Sequence, residues 1–66
     1  MEIVINGEVR EVPAKTSLQD LIQSLELKQD RVAIELNSQI VRRDRWAETR
    51  LQDLDRLEIV HFVGGG

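Results

Sequence analysis

The residues that could do chemistry in this chain lie at its end. The sequence closes Val60-His61-Phe62-Val63-Gly64-Gly65-Gly66, an apolar segment that runs into three glycines with no polar spacer. A free carboxylate on Gly66 would then be carried on a stalk that has no side chains. Glycine lacks a Cβ, so such a stalk can enter a slot too narrow for any other residue. Three extended residues reach about 10 Å at roughly 3.3–3.6 Å each. Gly64, Gly65 and Gly66 are therefore expected to form a flexible tail that presents the Gly66 carboxylate to another protein.

The rest of the chain offers no catalytic constellation. Ser17 and Ser38 are explained as a helix cap and a turn residue. Gly7 stands alone, so there is no phosphate-binding glycine loop. Asp53 and Asp55 could pair as acid and base, but turn formation before a strand explains them better, since aspartate bonds nearby backbone N–H groups. There is no cysteine, and the one histidine, His61, has no carboxylates spaced to complete a metal site. His61 shares the parity of Leu57 and Ile59 near the end of their strand. It reads as a half-exposed structural histidine, with a role at a partner interface left open. No catalytic residue and no metal are expected, and the chain is not read as an enzyme in its own right.

Val60 and Phe62 take the parity opposite to Leu57 and Ile59. If Leu57 and Ile59 face a helix, Val60 and Phe62 face where a single helix cannot reach. Exposed apolar residues are common, but these two flank the tail. Fixing three glycines in a partner's channel costs roughly 1–2 kcal/mol each. Burying Val60 and Phe62 returns about 1.5–3 kcal/mol each, enough to offset that cost. They are the expected docking residues.

Short elements must position this end. Glu2-Ile3-Val4-Ile5 is β-branched and nearly continuously apolar, as in a strand well inside a sheet. Asn6-Gly7 is a strong hairpin signal, and Glu8–Val12 is the return strand, closed by Pro13 as on a sheet edge. Thr16 and Gln19 have capping-box spacing, as do Ser17 and Asp20. Leu18, Leu21, Ile22 and Leu25 then form one apolar stripe, which predicts a helix over Ser17–Leu27. Val32-Ala33-Ile34-Glu35-Leu36 alternates with period two, placing Val32, Ile34 and Leu36 on the core side. Asn37-Ser38 turns the chain into a short strand at Ile40-Val41. Arg45-Trp46-Ala47 is expected to form one helical turn, with Trp46 as a lid over the edge of the core. Leu51 and Leu54 are expected to point into the core, and Asp53-Leu54-Asp55 to turn into a last strand, Leu57–Val63.

The chain has 66 residues, enough for one small domain, 1–66, with 64–66 as its tail. Its net charge of −3 comes from interspersed signs, which argues against nucleic acid as a partner. The densest basic stretch, Arg42-Arg43-Asp44-Arg45, reads as a solvated edge strand and turn, with a docking contact to an acidic partner as the alternative. No apolar run approaches a membrane span and no secretory signal opens the chain, so no membrane partner and a cytoplasmic location are expected. The order ββ, α, ββ, an irregular crossover and β predicts an α+β fold. One mixed sheet of about five strands packs on one helix, with the first and last strands central and parallel. That is the β-grasp, the ubiquitin-like fold.

The whole chain resembles the sulfur carrier family of thiamine thiazole synthesis, the ThiS family. The likeness runs through Ile3-Val4-Ile5-Asn6-Gly7-Glu8, Ala33-Ile34-Glu35-Leu36-Asn37, Ile40-Val41, and Arg43 ahead of Trp46. It closes with Leu51, Asp53, Asp55, Glu58-Ile59-Val60 and the terminal Gly65-Gly66. Family members often carry glycine between the two aspartates, where this chain has Leu54, so the departure falls on a turn and not on the chemistry. The resemblance implies that an E1-like adenylyltransferase uses ATP and Mg to adenylate the Gly66 carboxylate. Sulfur, usually from cysteine through a cysteine desulfurase relay, then displaces AMP and leaves a thiocarboxylate, which the thiazole synthase accepts. No cofactor is bound by the carrier itself. Two sulfur-transfer or conjugation readings stand beside it: the small subunit of molybdopterin synthase, usually longer, and a ubiquitin-like modifier joined through Gly66 to lysine. A plain interaction module with an idle tail is the third.

Overall fold

The structure, a computed structural model, describes residues 1–62. Strands β1 (Glu2–Ile5) and β2 (Glu8–Glu11) form an antiparallel hairpin. Asn6 and Gly7 take φ of 49° and 84° at its turn, the left-handed pair that matches the twist of the flanking strands. Ile3 and Ile5 are buried, whereas β2 is exposed along its length. That is the edge position Pro13 implies.

Helix α1 (Leu18–Ser24) starts with the second of the two possible caps. The Ser17 Oγ accepts from the Asp20 N–H at 3.0 Å, and the Asp20 carboxylate accepts from the Ser17 N–H at 3.4 Å. Thr16 is not the cap because its hydroxyl donates to the Pro13 carbonyl at 2.7 Å. Leu18, Leu21 and Ile22 are buried and Leu25 is half-buried, as the stripe requires. The helix is shorter than the expected Ser17–Leu27. Glu26 turns left-handed at φ 59°, while its N–H donates to the Gln23 carbonyl and that of Leu27 to the Ile22 carbonyl. This pair of reversed bonds is a Schellman ending, built on a glutamate where glycine is usual.

After a 3₁₀ turn at Gln29–Arg31, strands β3 (Val32–Leu36) and β4 (Gln39–Val41) form a second hairpin. Asn37 and Ser38 have φ of 51° and 73°. The crossover that follows is a 3₁₀ segment over Arg43–Glu48, longer than the single turn expected. Trp46 is 1% exposed, so it is part of the core and not a lid. Its Nε1–H donates to the Val41 carbonyl at 2.9 Å, which satisfies the one polar group the indole brings inside. The crossover is tied to the helix start, with the Leu18 N–H on the Thr49 carbonyl and the Leu51 N–H on the Thr16 carbonyl.

Leu51 is buried, as expected, but Leu54 is 66% exposed. Its backbone is left-handed at φ 71°, and its N–H donates to the Glu2 carbonyl at 2.6 Å. A residue held that way at the tip of a turn projects outward, so Leu54 does not reach the core. Strand β5 spans Arg56–His61, against the expected Leu57–Val63; Val63 lies outside the described residues.

The strands order as β2-β1-β5-β3-β4. β1 and β5 are parallel, and the other neighbours are antiparallel. The first and last strands therefore sit inside the sheet, as their apolar character demands. α1 covers one face, and Ile3, Ile5, Ile34, Leu57 and Trp46 meet Leu18, Leu21 and Ile22 in a single core. This is the β-grasp. Among the described residues no helix is long and apolar enough to cross a membrane.

Candidate functional site

β5 carries the candidate site, and its two sides are held differently. On one side β3 pairs with it from Val32 opposite His61 to Leu36 opposite Leu57. On the other, β1 pairs only as far as Ile5 opposite Leu57 before turning away. There the side chain of Asn6 replaces the missing strand. Its Oδ1 accepts from the Ile59 N–H at 2.8 Å, and its Nδ2 donates to the Ile59 carbonyl at 3.2 Å.

The start of β5 is fixed in a similar way. The Asn37 Oδ1 accepts from the Arg56 N–H at 3.0 Å, and the Asn37 N–H donates to the Arg56 carbonyl at 2.8 Å. Its Nδ2 donates to Asp55 Oδ1 at 3.0 Å. The other oxygen of Asp55 accepts from the Gln52 N–H, and Asp53 accepts from the Glu2 N–H. Both aspartates thus serve the backbone, in agreement with their reading as turn residues. The two turn asparagines do more than the sequence suggests. Each uses a position that needs positive φ and also brackets one residue of the last strand.

Beyond Ile59, among the described residues, the strand is paired on the β3 side alone. The Phe62 N–H donates to the Arg31 carbonyl at 2.7 Å and makes Phe62 the final anchored residue of the described chain. The expected tail, Gly64, Gly65 and Gly66, with Gly66 as the residue modified, lies outside the described residues.

Val60 and Phe62 are 54% and 55% exposed. Val60 lies opposite Ala33 on β3, on the face that α1 leaves uncovered. Phe62 borders a groove of about 390 Å³ that Ile40, Arg42 and Trp46 also line. Leu57 is buried and Ile59 partly so on the helix side, as their parity predicts. His61 is exposed and lines a depression with Arg10, Leu25 and Leu27. Val9 and Ile40, exposed at 66% and 73%, join the uncovered face and were missed in the sequence. The signal that finds them is register: Val9 lies opposite Val4, and Ile40 opposite Glu35.

The basic stretch is solvated. Arg42 approaches Asp44 at 3.8 Å and Arg45 approaches Glu48 at 3.0 Å, both on the surface, where such pairs contribute little. Among the described residues no group of three or more His, Cys, Asp and Glu is placed to hold a metal ion. What the arrangement supplies is mechanical: a strand clamped at Arg56 and Ile59, anchored at Phe62, and bordered by exposed apolar side chains.

Comparison with known proteins fits this arrangement. The model of the ThiS family matches residues 3–66. The whole chain is 39% identical to part of a thiazole synthase from Magnetococcus marinus and spans only 20% of that protein's length. It is 46% identical over 50 residues to the sulfur carrier protein ThiS of Bacillus subtilis, covering 76% of each chain. A crystal structure of a thiamine biosynthesis protein (ThiS) from Geobacter metallireducens superposes with a TM-score of 0.85 at 29% identity, over the whole of both chains.

Proposed function

Because this chain belongs to the ThiS family, we propose that it is a sulfur carrier in the formation of the thiamine thiazole. The observation that carries the proposal is the extent of the family match, which continues from the first strand through the glycine end. A carboxylate is a poor electrophile until one oxygen becomes a good leaving group, so it must first be activated. An E1-like adenylyltransferase supplies that step, using ATP and Mg to join AMP to the Gly66 carboxylate. Attack by a sulfur nucleophile expels AMP and leaves a C-terminal thiocarboxylate. The sulfur comes from a cysteine desulfurase system, whose persulfide sulfur is brought to the sulfide level by a thiol that is oxidised to a disulfide. Thiazole synthase then takes the sulfur from the carrier.

This division of labour accounts for what the chain contains. The carrier needs reach and an accessible carbonyl, which Gly64, Gly65 and Gly66 provide, and the catalytic groups reside in the partners. The thiazole synthase as receiver is supported by the relative in which a segment similar to this entire chain forms part of a synthase polypeptide. Joining a carrier to its acceptor raises their effective concentration, which is useful only if the two must meet. Val60 and Phe62 dock the carrier while the tail occupies the active site.

The test is exchange of pyrophosphate into ATP by the activating enzyme in the presence of the carrier. Wild type supports exchange, whereas Gly66→Trp abolishes it and leaves the melting curve unchanged. Exchange that survives a bulky side chain at Gly65 or Gly66 would remove the tail from the mechanism.

A further inference from the structure

The face of the sheet opposite α1 has a pattern that the docking role of Val60 and Phe62 leaves unexplained. Register places Glu35 and Glu58 directly opposite each other on neighbouring strands. Side chains so placed have Cβ atoms only about 4.5–5.5 Å apart, and like charges there are destabilising. Both residues are exposed on the open face. Among the described residues the ion pairs are Met1–Glu11, Arg10–Glu8, Arg42–Asp44, Arg45–Glu48 and Arg50–Asp20, and none involves either carboxylate. Arg56, two residues before Glu58 on the same face, makes no ion pair with it. A recess of about 160 Å³ beside the pair is lined by both glutamates and Arg56.

Apolar side chains border these carboxylates on two sides. Ile40 lies across from Glu35 on β4, and Ala33 and Val60 form the next cross-strand pair along β3 and β5. Phe62 follows Val60 on the same face. A buried acidic pair would have to be neutralised, so a partner covering the apolar residues must bring positive charge to the middle of the contact.

We propose that Glu35 and Glu58 form the acidic centre of a docking face that selects a protein partner presenting a lysine or arginine surrounded by apolar side chains. Charge excludes the other occupants. A second copy of this chain, related by a twofold axis through the pair, would set carboxylates against carboxylates. Nucleic acid and anionic lipid surfaces are repelled by the same two groups. The inference rests on the carrier reading and adds to it the residues that discriminate among partners.

The test uses the full chain in three forms: wild type, Glu58→Lys and Glu35→Gln/Glu58→Gln. Each is titrated calorimetrically against the thiazole synthase and against the adenylating enzyme of the same organism, at low and high salt. Glu58→Lys creates an attractive cross-strand pair with Glu35, so it melts no lower than wild type. It nevertheless loses about tenfold or more in affinity for at least one partner, because the incoming cation meets a cation. The double glutamine variant loses less and shows a flatter salt dependence. Affinities within twofold of wild type for both enzymes would overturn the proposal. So would a wild-type dimer that the variants dissociate, which would make the occupant a second copy. Wild type that binds neither enzyme and gains no thiocarboxylate would instead defeat the carrier reading itself, and the inference with it.

Discussion

Leu54 occupies a left-handed backbone position, φ 71°, at the turn between Asp53 and Asp55. A side chain with a Cβ costs about 1–2 kcal/mol there, and 66% exposure means that Leu54 recovers little by burial. Glycine fits the conformation but loses more chain entropy on folding, by roughly 0.5–1 kcal/mol. Leu54→Gly is therefore expected to stabilise the protein by about 0.5–1 kcal/mol in denaturant titration; a loss of stability would show that the leucine contributes packing of its own. The same scale shows where the sequence is silent. Asn6 and Asn37 are legible as turn residues, because Asn-Gly and Asn-Ser tolerate positive φ. Their second use is not, since the bonds from Asn6 to Ile59 cross 53 positions of sequence. Which strand lies beside the turn is a property of topology, not of the dipeptide.

Elements were legible where a period was clean. The alternation Val32-Ala33-Ile34-Glu35-Leu36 corresponds residue for residue to β3, because each apolar side chain on one face has a core to enter. Ends were less legible. Two overlapping capping boxes fit the start of α1, and the choice depends on Thr16 bonding back to Pro13. Ser17→Ala should therefore lower stability by about 1 kcal/mol, as for other lost caps, while Thr16→Ala costs less. Equal losses, measured by thermal unfolding, would mean that the cap is shared. At the other end, the stop at Ser24 is made by Glu26 in a conformation that usually announces itself as glycine. Trp46 was misjudged for a related reason. A tryptophan in one short helical turn, Arg45-Trp46-Ala47, reads as a lid over the core's edge, yet the longer 3₁₀ segment turns Arg43, Asp44 and Arg45 outward and the indole in.

At the scale of the molecule, the sheet order follows from simple requirements. The most apolar strands go inside, parallel neighbours need a long connection, and one helix covers one face. The opposite face then has to be solvated or occupied. Here it is mixed, with Val9, Ile40, Val60 and Phe62 exposed around charged positions, as suits the docking surface proposed above. Of these four, Phe62 is the nearest in sequence to the tail, so Phe62→Ala should weaken binding to the activating enzyme or the synthase by more than about 1 kcal/mol. Titration of wild type and variant against each enzyme checks this, and matched affinities would exclude Phe62 from the contact.

The central claim is that a folded, otherwise unreactive body delivers its last carbonyl to other enzymes. Intact mass spectrometry of the protein purified with its activating enzyme and sulfur source tests this most directly. The account predicts a species heavier by one sulfur-for-oxygen replacement, localised to Gly66 and absent when Gly65 and Gly66 are deleted. An unmodified mass under conditions where thiazole still forms, or a branched product joined to another protein through Gly66, would contradict it.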